Sequence, residues 1–144
     1  MDVHTTIYTL CAVEPILGAE ENVLAQIQID PDYRLVIQCI NRLKERLRVI
    51  DKECYILCGY EAGCLGYSLY HLLTNVGVKC VILAPSTMMS EKGKRIKTDK
   101  RDARLIAKCL CHGGYHAVYV STADDNTIME YIRMRDDQDR KSVV

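Results

Sequence analysis

Two short segments in the middle of the chain constrain its fold most. Cys54-Tyr55-Ile56-Leu57-Cys58 is an apolar run of strand length, and Val78–Ala84, closed by Pro85, is a second. Such runs suit strands covered on both faces. Between them Leu65, Leu69, Leu72, Leu73 and Val76 recur at helical spacing and stop at Asn75 and Gly77. Strand, helix, strand reads as a right-handed parallel crossover, with the helix lying on a sheet face.

The flanks extend this pattern. Residues 3–13 are rich in β-branched and apolar types and read as strand. Pro15, Gly18 and Glu20-Glu21-Asn22 make a turn, and Val23, Ala25, Ile27 and Ile29 alternate as a further strand. Asp30-Pro31 reads as a helix start, followed by Val36, Ile40, Leu43, Leu47 and Ile50 at helical spacing. A polar, basic loop runs from Ser86 to about Lys97. A third helix begins near Thr98 or Asp99 and ends at Gly113-Gly114, and Ala117–Val120 reads as a short strand. Hairpin-like strands followed by βα alternation imply an α/β fold, a mixed sheet flanked by helices. Residues 1–122 form the expected domain, and 123–144 the start of a charged helix leading out of it.

At 144 residues and 26% charged, with 49% hydrophobic residues, the chain is not wholly disordered. No apolar stretch approaches the roughly 18 residues that span a bilayer, and no export signal opens the chain. The expectation is therefore a cytoplasmic protein with no membrane partner. Net charge is zero, yet residues 91–108 hold eight Lys and Arg against three acids. A patch of this kind can bind phosphate even on a neutral chain. Lys94, Arg95, Lys97, Lys100, Arg101 and Arg104 are its nucleic-acid-binding candidates. The eight cysteines contain no C-x-x-C pair and sit mostly among aliphatic residues. They read as reduced core residues rather than a zinc or disulfide framework.

Ligands of open α/β sheets gather outside the carboxyl ends of the strands. Glu61 follows a buried strand at such an end. Asp99 and Asp102 are three apart at a helix start and share a face. Asp2 lies on the first strand. Four carboxylates from different elements suit magnesium or manganese at a phosphodiester. Each residue also has a plainer reading. Asp99 and Asp102 fit a helix N-terminal pair, and Glu61 a solvated loop acid. Asp2 fits a loose terminus, and Gly59, Gly63 and Gly66 fit turns. Tyr60, Tyr67 and Tyr70 could stack on bases but suit core or rim packing better.

Three runs narrow these alternatives: Gly59-Tyr60-Glu61-Ala62-Gly63-Cys64-Leu65-Gly66-Tyr67, Val81-Ile82-Leu83-Ala84-Pro85-Ser86 and Lys97-Thr98-Asp99-Lys100-Arg101-Asp102-Ala103-Arg104. Together with Met1-Asp2-Val3-His4 and Tyr8-Thr9-Leu10 they resemble the N-terminal domain of the DEDD transposases, insertion-sequence recombinases guided by a bridge RNA. The resemblance implies a ribonuclease-H-like (RuvC-like) fold. It assigns a catalytic and metal-binding tetrad to Asp2, Glu61, Asp99 and Asp102, holding Mg2+ or Mn2+ at the scissile DNA. It further implies a guide RNA, a homo-oligomer in the full-length protein, and a nucleophilic serine in a later domain. Ser86 and Ser142 do not match that serine's motif.

Two departures stand out. Only Met1 precedes Asp2, which places a ligand on a short strand at a chain end. The chain also stops at Val144, before any serine-bearing domain, so the expectation is a fragment inactive by itself. An alternative is a non-catalytic nucleic-acid-binding module using residues 92–108. An actin-like ATPase is a third reading, opposed by the lack of a second glycine-rich phosphate loop late in the chain.

Overall fold

Alternating side chains and a tight reversal build the N-terminal half of the sheet. In the computed structural model, which describes residues 1–50, 53–63, 65–85 and 96–122, β1 is Asp2–Val3, β2 is Tyr8–Glu14 and β3 is Asn22–Ile29. All three pair antiparallel, with Asp2 opposite Thr9 and Thr9 opposite Gln28. The single strand expected over 3–13 is therefore two strands. His4 N donates to Ile7 O at 3.0 Å and closes the turn between them.

Helix α1 (Tyr33–Val49) starts later than Asp30-Pro31 implies. Its cap is Asp32, whose carboxylate accepts from Arg34 N at 2.9 Å, the usual role of an N-cap aspartate. Strand β4 is Leu57–Glu61, three residues beyond the expected run, and β5 is Lys79–Leu83. These two pair in parallel, Gly59 opposite Val81 and Glu61 opposite Leu83. Helix α2 (Ser68–Asn75) crosses between them.

The antiparallel and parallel sheets meet where β1 packs against β4. The Met1 amine donates to Gly59 O at 2.7 Å across this junction, and burial pulls its pKa down to about 6. Met1 is itself part of the core, so Asp2 sits on an anchored strand rather than a loose end.

Tyr60, expected in the core or on its rim, is buried in β4. Its hydroxyl donates to Gly66 O at 3.2 Å and accepts from Tyr70 N at 3.1 Å. Helix α2 has no side-chain cap of its own, so this phenol from the neighbouring strand satisfies an orphan N–H of its first turn. Burial pushes the Tyr60 phenol up to about 12.

Helix α3 (Asp99–His112) packs on β2, β1 and β4. Its ends match expectation: Thr98 caps the start and Gly113, at φ 70°, the finish. Gly59 lies in β4 rather than in a turn. A Cβ there would fall 2.8 Å from Leu110 Cδ1 and 2.9 Å from Leu83 Cδ1, so glycine is what lets α3 approach. Gly66 does sit in a turn, at φ 57°. Residues 117–120 contribute only a bridge, Ala117 opposite Leu83, instead of a strand. The expected helix from 123 lies outside the described residues.

The α/β class holds: antiparallel and parallel strands with helices against them. No helix among the described residues is long and apolar enough to cross a membrane. Cys58, Cys80 and Cys109 are buried and free, and burial pushes the Cys80 thiol up to about 12. Cys64 lies outside the described residues.

Candidate metal centre

The aspartates come together where β1 meets the start of α3, with the end of β4 beside them. Asp2 is set by its pairing with Thr9, and only 13% of its side chain is exposed. Asp99 and Asp102 occupy the first turn of α3. Thr98 Oγ1 accepts from Arg101 N at 3.3 Å, so the cap is a hydroxyl. The two aspartates are therefore not needed for capping. The positive end of the helix dipole still favours their charge.

His4 completes the cluster. Its Nε2 lies 3.1 Å from Asp2 Oδ2 and 3.9 Å from Asp99 Oδ1. One ligand atom from each of Asp2, His4 and Asp99 falls within 4.8 Å of the others. His4 was not among the sequence candidates. The signal was its spacing: residues two apart on an extended chain project to the same side.

Asp102 joins this group through charge. Its carboxyl pKa is raised, first by desolvation and then by the negative charges of Asp2 and Asp99. Lys97 and His4 oppose that rise. Lys97 Nζ stands 3.8 Å from Asp102 Oδ2, but its side chain is 87% exposed, so the pair is solvent-screened. Asp102 beside the charges of Asp2 and Asp99 makes a donor set a divalent cation would relieve. The residues present fit such an ion.

Glu61 ends β4 at its carboxyl edge, half-buried, on the strand beside β1. Among the described residues no hydrogen bond or ion pair ties it to the aspartates. It is thus at the correct edge but outside the closest group.

The basic candidates divide. Lys97, Lys100, Arg101 and Arg104 are exposed at or just before the start of α3. Arg101 Nη1 donates to Ile96 O at 3.0 Å, and the Lys100 carbonyl accepts from Gln26 Nε2 at 2.8 Å. Lys94 and Arg95 lie outside the described residues.

The model of the IS110-type DEDD family, described as Transposase, matches residues 1–142. The transposase for insertion sequence element IS1533 of Leptospira borgpetersenii is 30% identical over 138 residues, 94% of this chain. A Sinorhizobium fredii (strain NBRC 101917 / NGR234) protein named as a candidate transposase, y4qE, is 40% identical over 76 residues, 53% of this chain. These stretches cover 37% and 20% of the two relatives, so the chain spans little more than a third of their length at most. No solved structure matches the chain significantly.

Proposed function

The chain belongs to the IS110-type DEDD family of insertion-sequence transposases, and from that premise we propose that it is the metal-binding catalytic part of a DNA recombinase. Asp2, Glu61, Asp99 and Asp102 would hold Mg2+ or Mn2+ at the scissile phosphate. What supports this reading is the gathering of donor atoms of Asp2, His4 and Asp99 within 4.8 Å of one another, with the charges of Asp2 and Asp99 opposing ionisation of Asp102 beside them. Folding does not call for such repulsion, and a cation would offset it.

A bound divalent cation supplies Lewis-acid polarisation of the phosphate and stabilises charge that builds up in the transition state. The protein's own part is positional. β1 and β4 fix Asp2 and Glu61 on strands, and the capped first turn of α3 fixes Asp99 and Asp102. Lys97 is exposed enough to exchange Asp102 for a substrate phosphate oxygen. Lys100, Arg101 and Arg104 extend positive charge along the DNA path, and Lys94 and Arg95 continue it in sequence. The complete recombinase acts as a homo-oligomer with a guide RNA, in the cytoplasm, and residues 1–122 form its catalytic unit.

The test is excision in cells by the transposase that carries this chain. Glu61→Gln and Asp102→Asn should each abolish excision while circular dichroism shows an intact fold. Retained excision would overturn the tetrad.

A second reading draws on the exposed Lys and Arg of α3: a nucleic-acid-binding module without chemistry. Binding that weakens steeply with salt and ignores divalent metal would favour it.

A further inference from the structure

We infer that His4 is a ligand of the same centre, donating Nε2 to the cation, and that the centre takes manganese in preference to magnesium. The inference rests on the proposed metal site and adds a residue and a metal preference to it.

The spacing of the three side chains is one a single ion could bridge. Around an ion with bonds of about 2.1 Å, cis donors stand about 3 Å apart and trans donors about 4.2 Å. His4 Nε2 is 3.1 Å from Asp2 Oδ2, a cis spacing, and 3.9 Å from Asp99 Oδ1, between the two. A single nitrogen thus approaches carboxylates from two different elements, β1 and α3. A hydrogen bond to Asp2 alone would not require the approach to Asp99.

The backbone holds His4 in place. Val3 pairs with Tyr8, and His4 N donates to Ile7 O at 3.0 Å. The side chain is about half exposed and packs in no cluster of the core, so its contacts with the two aspartates are what orient it.

The donor chemistry sets the metal. Magnesium is hard and takes oxygen. An imidazole nitrogen favours a transition ion, while the remaining carboxylates keep the set suited to manganese. A site of oxygen ligands alone would have no such preference built in.

The test is pulsed electron paramagnetic resonance of the 144-residue chain loaded with Mn2+, with titration calorimetry beside it. The wild type should show 14N modulation from a directly bound imidazole. His4→Ala should lose it and bind Mn2+ at least about tenfold more weakly, the loss that even outer-shell partners can cause. Mg2+ affinity should fall less, narrowing the preference. Suppose Mn2+ binds and Asp2→Asn abolishes binding, but the wild type shows no 14N coupling. Then His4 only hydrogen-bonds Asp2: the inference fails and the four-carboxylate site stands. Modulation that survives His4→Ala also overturns it. No Mn2+ binding, or binding indifferent to Asp2→Asn, overturns the site and this inference together.

Discussion

Asp102→Asn should stabilise the metal-free protein while removing its response to metal. Asp102 carries a raised carboxyl pKa, so its charged form is less favourable in the folded chain than in the unfolded one. Desolvation and the charges of Asp2 and Asp99 drive that shift against the pull of Lys97 at 3.8 Å. The i,i+3 pair of Asp99 and Asp102 on one helix costs about 0.2–0.5 kcal/mol, and Asp2 adds to it from β1. The screened Lys97 pair and the helix dipole return some of this. The net gain on neutralisation is therefore modest, at most about 1 kcal/mol, or about 2–4 °C in a chain of this size. Metal acts in the opposite direction. At a hundred times its Kd, an ion bound only by the folded state adds about 2.7 kcal/mol. That corresponds to a rise of about 5–10 °C in the wild type. Asp102→Asn should forfeit most of that rise. The assay is differential scanning calorimetry with and without MnCl2 at matched ionic strength. A variant less stable than wild type without metal, or one keeping the full metal-induced rise, would refute the reasoning.

Other perturbations test the frame that carries the site. Tyr60→Phe removes the hydroxyl bridging Gly66 O and Tyr70 N, and urea unfolding should show a loss of about 1–3 kcal/mol. Gly59→Ala drives a methyl against Leu110 and Leu83, and chemical denaturation should show a loss of about 1–3 kcal/mol, partly restored by Leu110→Val. Glu21, buried, sits 3.3 Å from His112 Nε2 and 3.9 Å from Lys108 Nζ. A hydrogen bond to backbone, then one with His112, lowers its pKa below 4.5 against the opposing effect of burial. Its contribution is thus complete above pH 4.5 and fades as pH falls through the lowered value. Thermal melts should show that loss in the wild type and a flatter profile below pH 4.5 in Glu21→Gln.

Where local signals agreed with tertiary packing, the fold was legible. Helix α3 is bounded by Thr98 and Gly113, and both the hydroxyl cap and the left-handed finish are visible as residue types. The reversal at His4–Ile7 was hidden because Thr5 and Thr6 read as strand and no Gly, Pro, Asn or Asp marks the turn. Strand β4 was displaced because the apolar run begins at Cys54 while pairing begins at Leu57. Gly59 and Glu61 look like turn and loop in isolation. The helix above Gly59 and the sheet edge at Glu61 explain them, and neither is a local property. The helical pattern begins at Leu65 but α2 begins at Ser68, and its first-turn partner is Tyr60 on another strand. For the candidate site, resemblance names four acids; the structure groups Asp2 and Asp99 and puts Asp102 in the same first turn of α3 as Asp99. For His4, spacing offers only a shared side with Asp2; its approach to Asp99 depends on the distance from β1 to α3, which the sequence does not contain.

The most direct measurement is anomalous scattering from crystals of this chain soaked in MnCl2. A peak bounded by Asp2, Glu61, Asp99 and Asp102 is expected, with His4 Nε2 within bonding distance. Ordered carboxylates around no peak, or manganese bound only elsewhere, would contradict a metal-dependent centre at this strand end.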